Sequence, residues 1–305
     1  MPSLRQLEYL IELDRHRHFR RAAEALGVSQ PTLSTQLRAM EERLGLELVE
    51  RSRSSVLITP VGAQVVEIAQ RMLRDHQQIY DLVKTAGAPL GGVIRLGLPS
   101  TIGPNLLPLI LPDLHRTHPD LVLHVREDVP SKLPHALSHG AHDLLLVPLP
   151  VQGPDLTTQP MFREPLYLAL AEDHPLAAKE TLTRKDLRGQ RVLTLERGHQ
   201  LQEQVAAICD EFHAELAFDF EGTSLDTLSQ MVAMGTGITF LPGLYVERVG
   251  RSQGGIVIRE LSGRAISRTV GAAWRTSSAR IADYELLIQF IRAAVAKNFP
   301  KFMLL

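Results

Sequence analysis

The sequence predicts an α/β chain in three parts: a short helical segment with a β-hairpin, one long helix, and a region of alternating strands and helices. Three observations carry this. Apolar residues between Phe19 and Leu44 recur at three- and four-residue spacing on both sides of Gly27. Val65, Ile68, Met72, Ile79, Leu82 and Ala86 continue a helical period over a much longer stretch. After the Gly- and Pro-containing segment 85–92, short apolar strands alternate with helical patterns, as they do in α/β domains.

Leu4, Leu7, Tyr9, Leu10 and Leu13 mark a first helix, which should pack behind the next two. Phe19, Ala22, Ala23 and Leu26 mark a second, and Gly27 supplies the residue that tolerates positive φ at its end. Ser29 is placed as the N-cap of a third helix, with Pro31 in its first turn. Leu33, Leu37, Met40 and Leu44 form that helix's apolar stripe. Gln30, Thr32, Ser34, Thr35, Gln36 and Arg38 point away from it, with donors and acceptors suited to base edges and phosphates. Two short helices joined by a glycine turn are the helix-turn-helix pattern. Two ordinary packed helices with solvated polar faces give the same spacing, so spacing alone leaves both readings open. Leu48 to Ile58 reads as two short strands around a basic, hydroxyl-rich tip, Arg51-Ser52-Arg53-Ser54-Ser55, able to lie along a phosphate backbone.

The stretch from Gly62 to about Ala86 predicts roughly 37 Å of helix at 1.5 Å per residue. Its heptad-like stripe, interrupted at Asp75, is the signal for pairing with a second copy. Further on, strands are expected at 93–98, 121–126, 143–147, 166–171, 191–195, 217–220, 238–241, 256–259 and 269–274. Helices are expected at 105–118, 131–138, 201–213, 224–234 and 279–297.

Composition narrows the function classes. A chain of 305 residues with 44% hydrophobic content supports two or three domains and a sizeable core. The formal net charge is −1, and the first 60 residues hold nine arginines against eight acids, so charge alone does not indicate nucleic acid. No apolar run has the length of a membrane span, and the N-terminus lacks the apolar core of a signal peptide. One cysteine argues against a disulfide framework and fits a reducing cytoplasm. His16 and His18 lack neighbouring ligands for a metal, and Gly235-Thr-Gly237 is too short to hold a nucleotide. Neither a metal nor a cofactor is expected. An enzyme would have to be built from a pair such as Cys209 and His199, for which no orienting third group is legible.

The run Ala22-Ala23, Val28-Ser29-Gln30-Pro31-Thr32-Leu33-Ser34, Gln36-Leu37, Glu41, Leu44-Gly45, Leu48, Arg51 and Thr59-Pro60-x-Gly62 resembles the winged helix-turn-helix of LysR-type transcriptional regulators. Thr223-Ser-Leu-Asp-Thr-Leu and Val232-Ala-x-Gly235-x-Gly237-Ile238-Thr-x-Leu241-Pro242 are similar to that family's effector domain. The resemblance covers the whole chain. It implies a DNA-binding domain at 1–60, a dimerisation helix and hinge at 61–90, and a two-lobed effector domain like periplasmic binding proteins at 91–305. The first lobe would take about 91–162 plus 269–305, the second about 163–268.

As partners it implies double-stranded DNA with an inverted-repeat operator, an effector that is a small molecule or an oxidant, and RNA polymerase. It also implies a homodimer through the long helices and a homotetramer. DNA contacts would come from Ser29, Gln30, Pro31, Thr32, Ser34, Arg38, Arg51, Arg53 and Ser54. Effector contacts would come from Ser100, Thr101, His199, Gln200 and Thr223 in the cleft between lobes. Ser100-Thr101 opens a helix, where hydroxyls and free amides suit an anion; a plain N-cap is the competing reading, as it is at Thr223-Ser224.

Within that family the phrases His16-Arg-His-Phe-Arg-Arg-Ala-Ala23, Gly103-Pro104-x-Leu-Leu-Pro108, Glu172-Asp-His-Pro175 and Gly198-His199 resemble the OxyR, peroxide-sensing branch. That branch senses peroxide with a cysteine directly after this histidine. Here the position is Gln200, which cannot form a sulfenic acid. The branch's second cysteine falls on Cys209, so an intramolecular disulfide is impossible. Cys209 is either a buried small hydrophobe on an apolar helix face or the thiol of a one-cysteine redox sensor. The acidic residues around it favour the former, and with it a small-molecule signal.

Overall fold

The computed structural model describes residues 2–51, 56–85, 90–153, 155–217, 222, 224–250, 255–263 and 266–305. Contacts divide the chain into two units, one of Met1–Ala86 with His139–Ala141, the other of Gly87–Ser138 with His142–Leu305.

The first unit begins with α1 (Leu4–His16), α2 (Phe19–Ala25) and α3 (Gln30–Leu44). Ser3 and Gln6 form a reciprocal capping box on α1. Gly27, at φ 66°, makes the turn out of α2, and the Ser29 hydroxyl accepts from the Thr32 amide at 3.2 Å, as expected of an N-cap. Leu10, Leu13, Leu33, Leu37 and Met40 are fully buried between these helices. Each such side chain contributes about 1.5–3 kcal/mol by leaving water.

β1 (Val49–Arg51) and β2 (Val56–Ile58) form the antiparallel wing. Glu41 fixes it to α3 by accepting from the amides of Leu48 and Val49, both at 3.0 Å. α4 (Pro60–Thr85) follows. Gly62 must lack a side chain, because a Cβ there would stand 2.2 Å from the Leu48 carbonyl oxygen.

The second unit runs β3 (Gly92–Leu98), α5 (Gly103–Thr117), β4 (Leu121–Glu127), α6 (Leu133–Ser138), β5 (Leu144–Leu149) and β6 (Leu156–Ala171). Two 3-10 turns precede β7 (Arg191–Val192), α7 (Gln200–Phe212) and β8 (Glu215–Leu216). Then come α8 (Leu225–Ala233), β9 (Thr239–Pro242), α9 (Gly243–Val249), β10 (Ile256–Arg259), β11 (Ser267–Arg275), α10 (Ile281–Asn298) and β12 (Met303–Leu304). The main sheet has the order β10-β6-β11-β5-β3-β4, with β9 and β12 also on β6.

Two apolar cores define the two lobes. One holds Ile94, Ile110, Leu146, Trp274 and Ile288; the other holds Leu168, Val192, Val205, Leu228 and Ile256. β6 and β11 pair along their length, and β6 runs on from the first core to the second.

Four expectations need correction. β6 begins at Leu156 rather than near 166. Pro160 and Pro165 hide its first half, and Pro160 sits at the register shift opposite Gly271. The strand expected at 191–195 stops at Val192. The strand expected at 217–220 is Glu215–Leu216 instead; 218–220 lie outside the described residues. The sequence predicts no element at α9, since Gly243-Leu-Tyr-Val-Glu-Arg-Val249 is short and rich in strand-favouring residues.

Candidate functional site

The exposed face of α3 is polar. Gln30, Pro31, Thr32, Thr35, Gln36 and Arg38 are exposed and Ser34 is half-buried. Ser29 is exposed too, but its hydroxyl is engaged with the Thr32 amide and with the Thr32 hydroxyl at 2.8 Å. Gln6, buried in α1, donates to the carbonyl and side-chain oxygens of Gln36 and so fixes the rotation of α3 about its axis. This is the geometry of a recognition helix held by two others. Arg51 ends β1, with its side chain outside the described residues, as are Arg53 and Ser54.

In the second unit the structure ties Thr101 to a residue that sequence reasoning missed, Arg268, whose charge also acts on His199. Arg268 and Glu164 face each other across β11 and β6, with no exposure of either side chain. The Arg268 Nε donates to Glu164 Oε1 at 2.6 Å, and Glu164 Oε2 accepts from the Leu244 amide at 2.7 Å. The other end of the guanidinium donates to Thr101, to Oγ1 at 3.2 Å and to the carbonyl oxygen at 3.4 Å. A hydroxyl that accepts from a guanidinium still has its own hydrogen to donate. Burial hides the pair from sequence reading: Glu164 lies in the proline-broken half of β6.

His199 is 1% exposed, and neither ring nitrogen has a hydrogen-bond partner among the described residues. Burial holds its pKa below the ordinary histidine range; Arg268 pushes the same way, against the opposing charge of Glu196. The ring is therefore neutral at physiological pH, with one nitrogen to donate and one to accept. His199 is the N-cap residue of α7, but its side chain makes no capping hydrogen bond. Two unsatisfied buried nitrogens cost several kcal/mol by order of magnitude, and in a native protein ask for a ligand or a water.

Gln200 opens α7 beside this site. Its Nε2 donates to the Pro150 carbonyl at 3.3 Å, across a cleft of about 170 Å³ lined by Pro130, Ser131, Pro148, Pro150, Gly198 and Gln200. The Ser131 amide donates to the Gly198 carbonyl at 3.2 Å. Thr101 is buried, whereas Ser100 is only half-buried. Thr223 lies outside the described residues, and Ser224 caps α8 by accepting from the Thr227 amide. A larger open depression of about 540 Å³, lined in part by Glu180, Arg259 and Glu260, contains none of the sequence-predicted residues.

Cys209 is 2% exposed on the inner face of α7, and burial, with Asp210, pushes its thiol up to about 11. Among the described residues no group of His, Cys, Asp and Glu is placed to hold a metal ion, and no helix is long and apolar enough to cross a membrane.

The chain belongs to the LysR family of bacterial transcription regulators. Residues 4–63 match the bacterial regulatory helix-turn-helix protein model of that family, and residues 87–296 match the LysR substrate binding domain. The chain is thus a LysR-type, DNA-binding transcriptional regulator with a two-lobed regulatory domain.

Among its relatives is the DNA-binding transcriptional dual regulator OxyR of Escherichia coli K12, 40% identical over 98% of both chains. The structure is similar to a full-length OxyR of Pseudomonas aeruginosa carrying a cysteine-to-aspartate change, with TM-score 0.74 and 36% identity over 95% of this chain and 94% of that one. It is also similar to a hydrogen-peroxide-bound mutant OxyR of Corynebacterium glutamicum, with TM-score 0.67 and 29% identity over 98% and 94%.

Proposed function

We propose that this regulator takes its signal as a small, uncharged, hydrogen-bonding molecule at Thr101, His199 and Arg268, without oxidation of a cysteine. The observation that carries the reading is the neutral, fully buried His199 with both nitrogens unpartnered, within range of the charge of Arg268. Glu164 offsets the Arg268 charge, so the site favours a neutral polar guest over an anion. A similar OxyR has been solved with hydrogen peroxide bound, a molecule of that size and polarity. Here Gln200 stands beside the site, so a bound peroxide would meet no thiolate there. Cys209, buried and protonated, is a structural residue.

The regulator acts in the cytoplasm on an inverted-repeat operator, without catalysis. The exposed face of α3 enters the major groove; Gln30, Thr32, Ser34 and Arg38 reach base edges, and Arg51, Arg53 and Ser54 reach phosphate. Ile68, Met72 and Ile79 stand exposed on α4 and form the dimer seam. Effector domains join two dimers into a tetramer able to touch RNA polymerase.

The test is a reporter for a target promoter in cells carrying the parent, Thr101→Val or Cys209→Ser, with and without hydrogen peroxide. Thr101→Val should lose the response while still occupying the operator, and Cys209→Ser should keep it. A response abolished by Cys209→Ser and retained by Thr101→Val would make this a one-cysteine redox switch instead.

A further inference from the structure

Helix α9 stands at the border of the two lobes. Leu244 belongs to the first apolar core, whereas Tyr245 and Val246 belong to the second. Both ends of this short helix are wired to Thr101, by different atoms.

At its start, the Leu244 amide donates to Glu164, Glu164 accepts from Arg268, and Arg268 donates to the Thr101 hydroxyl. One turn later, Arg248 Nε donates to Asn105 Oδ1 at 2.6 Å, and Asn105 Nδ2 donates to the Thr101 carbonyl at 3.2 Å. Leu244 and Arg248 are four residues apart, about 6 Å along the axis. The hydrogen bonds and the helix therefore close a ring through Thr101. Asn105, on α5, is 3% exposed and Glu164 and Arg268 are fully buried, so most of the ring is out of water.

Arg248 also leads out of the ring. Its Nη2 donates to Asp226 at 3.0 Å, and its guanidinium lies over the Tyr245 ring. The Tyr245 hydroxyl donates to the same Asp226 oxygen at 3.0 Å. Asp226 is the second residue of α8.

We infer that α9 is a strut coupling Thr101 to the start of α8, with Arg248 as its positioning residue. A guest that takes a hydrogen bond from Thr101 shifts the carbonyl and hydroxyl to which both arms are tied. A rigid turn between the arms passes that shift to Arg248, and Arg248 passes it to Asp226. The exposed Arg248–Asp226 pair contributes little by its own charge. Its role is to make the Asn105 contact and the α8 contact one rigid object. This inference deepens the proposed function and takes Thr101 as the sensing group from it, but its test needs no effector.

The experiment is amide hydrogen exchange on the full chain, in a cycle of parent, Thr101→Val, Arg248→Gln and the double variant. In the parent background, Thr101→Val should speed exchange across Leu225–Ala233 by roughly threefold or more, a factor in the range of measured couplings between contacting residues. In the Arg248→Gln background the same change should alter that exchange by less than about 1.5-fold, below the range of such couplings. Exchange in α1 serves as the control for global destabilisation.

Asn105→Asp gives an independent cut: it keeps an acceptor for Arg248 and loses the donor to Thr101, and should reduce, without abolishing, the effect of Thr101→Val on α8, since the arm through Arg268 and Glu164 remains. A purely structural Arg248 would give additive effects. Additivity in both cycles, or no effect of Thr101→Val on α8, overturns the strut. Additive exchange with a lost reporter response would sink the strut and leave the sensing site standing. Coupled exchange with an intact response would do the reverse.

Discussion

Glu164→Gln removes one charge from a fully buried pair and leaves the other. Arg268 would keep a neutral oxygen in place of a carboxylate at 2.6 Å, and the Leu244 amide would keep its acceptor only if the new amide turns its oxygen that way. Breaking a buried pair by removing one partner costs about 3–5 kcal/mol, because an uncompensated charge stays in the interior. Trp274 provides the assay. It is the sole tryptophan, it is buried in the second unit, and it packs against Tyr284 at 6.2 Å, so its fluorescence follows unfolding of that unit. At a slope of about 2 kcal/mol per molar urea, the midpoint should fall by about 1.5–2.5 M. Replacing both residues, as in Glu164→Leu with Arg268→Met, should be milder than either single change, since an apolar pair of similar volume buries no charge. A single-variant shift within about 0.2 M at the same slope, or a double variant as damaged as the sum of its parts, would refute the buried pair as the fixture between β6 and β11.

Other outcomes follow from the same geometry. Cys209 should resist thiol reagents in the native chain, with labelling that rises with pH toward about 11 and becomes fast on unfolding; mass spectrometry after timed iodoacetamide treatment checks this. Because the folded thiol titrates above its unfolded value, its contribution to stability is complete below the unfolded pKa and is lost as pH rises through about 11. Gln200→Cys should gain native reactivity, yet not close a disulfide with Cys209 while α7 is intact. Nine residues of helix separate the two by about 13.5 Å along the axis, and a disulfide spans at most about 7 Å between Cα atoms; oxidised protein should therefore lose helical circular dichroism if the bond forms. Arg53→Ala should weaken binding to all DNA sequences alike and lower the salt slope by about 1, whereas Gln30→Ala should change preference among half-site bases; titrations at several salt concentrations separate the two. A fragment ending at Ala88 should sediment as a dimer at micromolar concentration, and a monomer there would remove α4 from the interface.

What the sequence made legible was whatever local rules decide. Ser29, Pro31 and Gly27 announce the boundaries of α2 and α3 because caps and turns act within a few residues. The α4 stripe is readable because one face repeats for many turns. Thr101 and His199 are legible through the resemblance, and the structure buries both, Thr101 bonded to Arg268 and His199 within reach of the same charge. Arg268, Glu164, Asn105 and Arg248 were not reached. Arg268 and Glu164 meet 104 positions apart and Arg248 and Asn105 meet 143 apart, and no local period records such a pairing. The prolines of β6 and the strand-like composition of α9 removed even the element-level clues.

The substitution at Gln200 separates two things that a cysteine would join. A thiolate directly after His199 would convert occupancy into a covalent change that outlasts the ligand. With an amide there, the proposed signal lasts only as long as the guest stays, and the response must follow from relative affinity for two conformations. Moving such an equilibrium from 1:99 to 99:1 needs a preference of about 10⁴-fold, or about 5.5 kcal/mol. The groups around His199 are of the right kind to supply a large part of that. A guest that pairs with both buried His199 nitrogens makes hydrogen bonds out of water, where each is electrostatically stronger than at the surface. A conformation in which His199 reaches solvent would only exchange bonds to water for bonds to the guest and would gain little from it. On the proposed reading, the buried histidine is where a guest would distinguish two conformations, as a reversible switch requires.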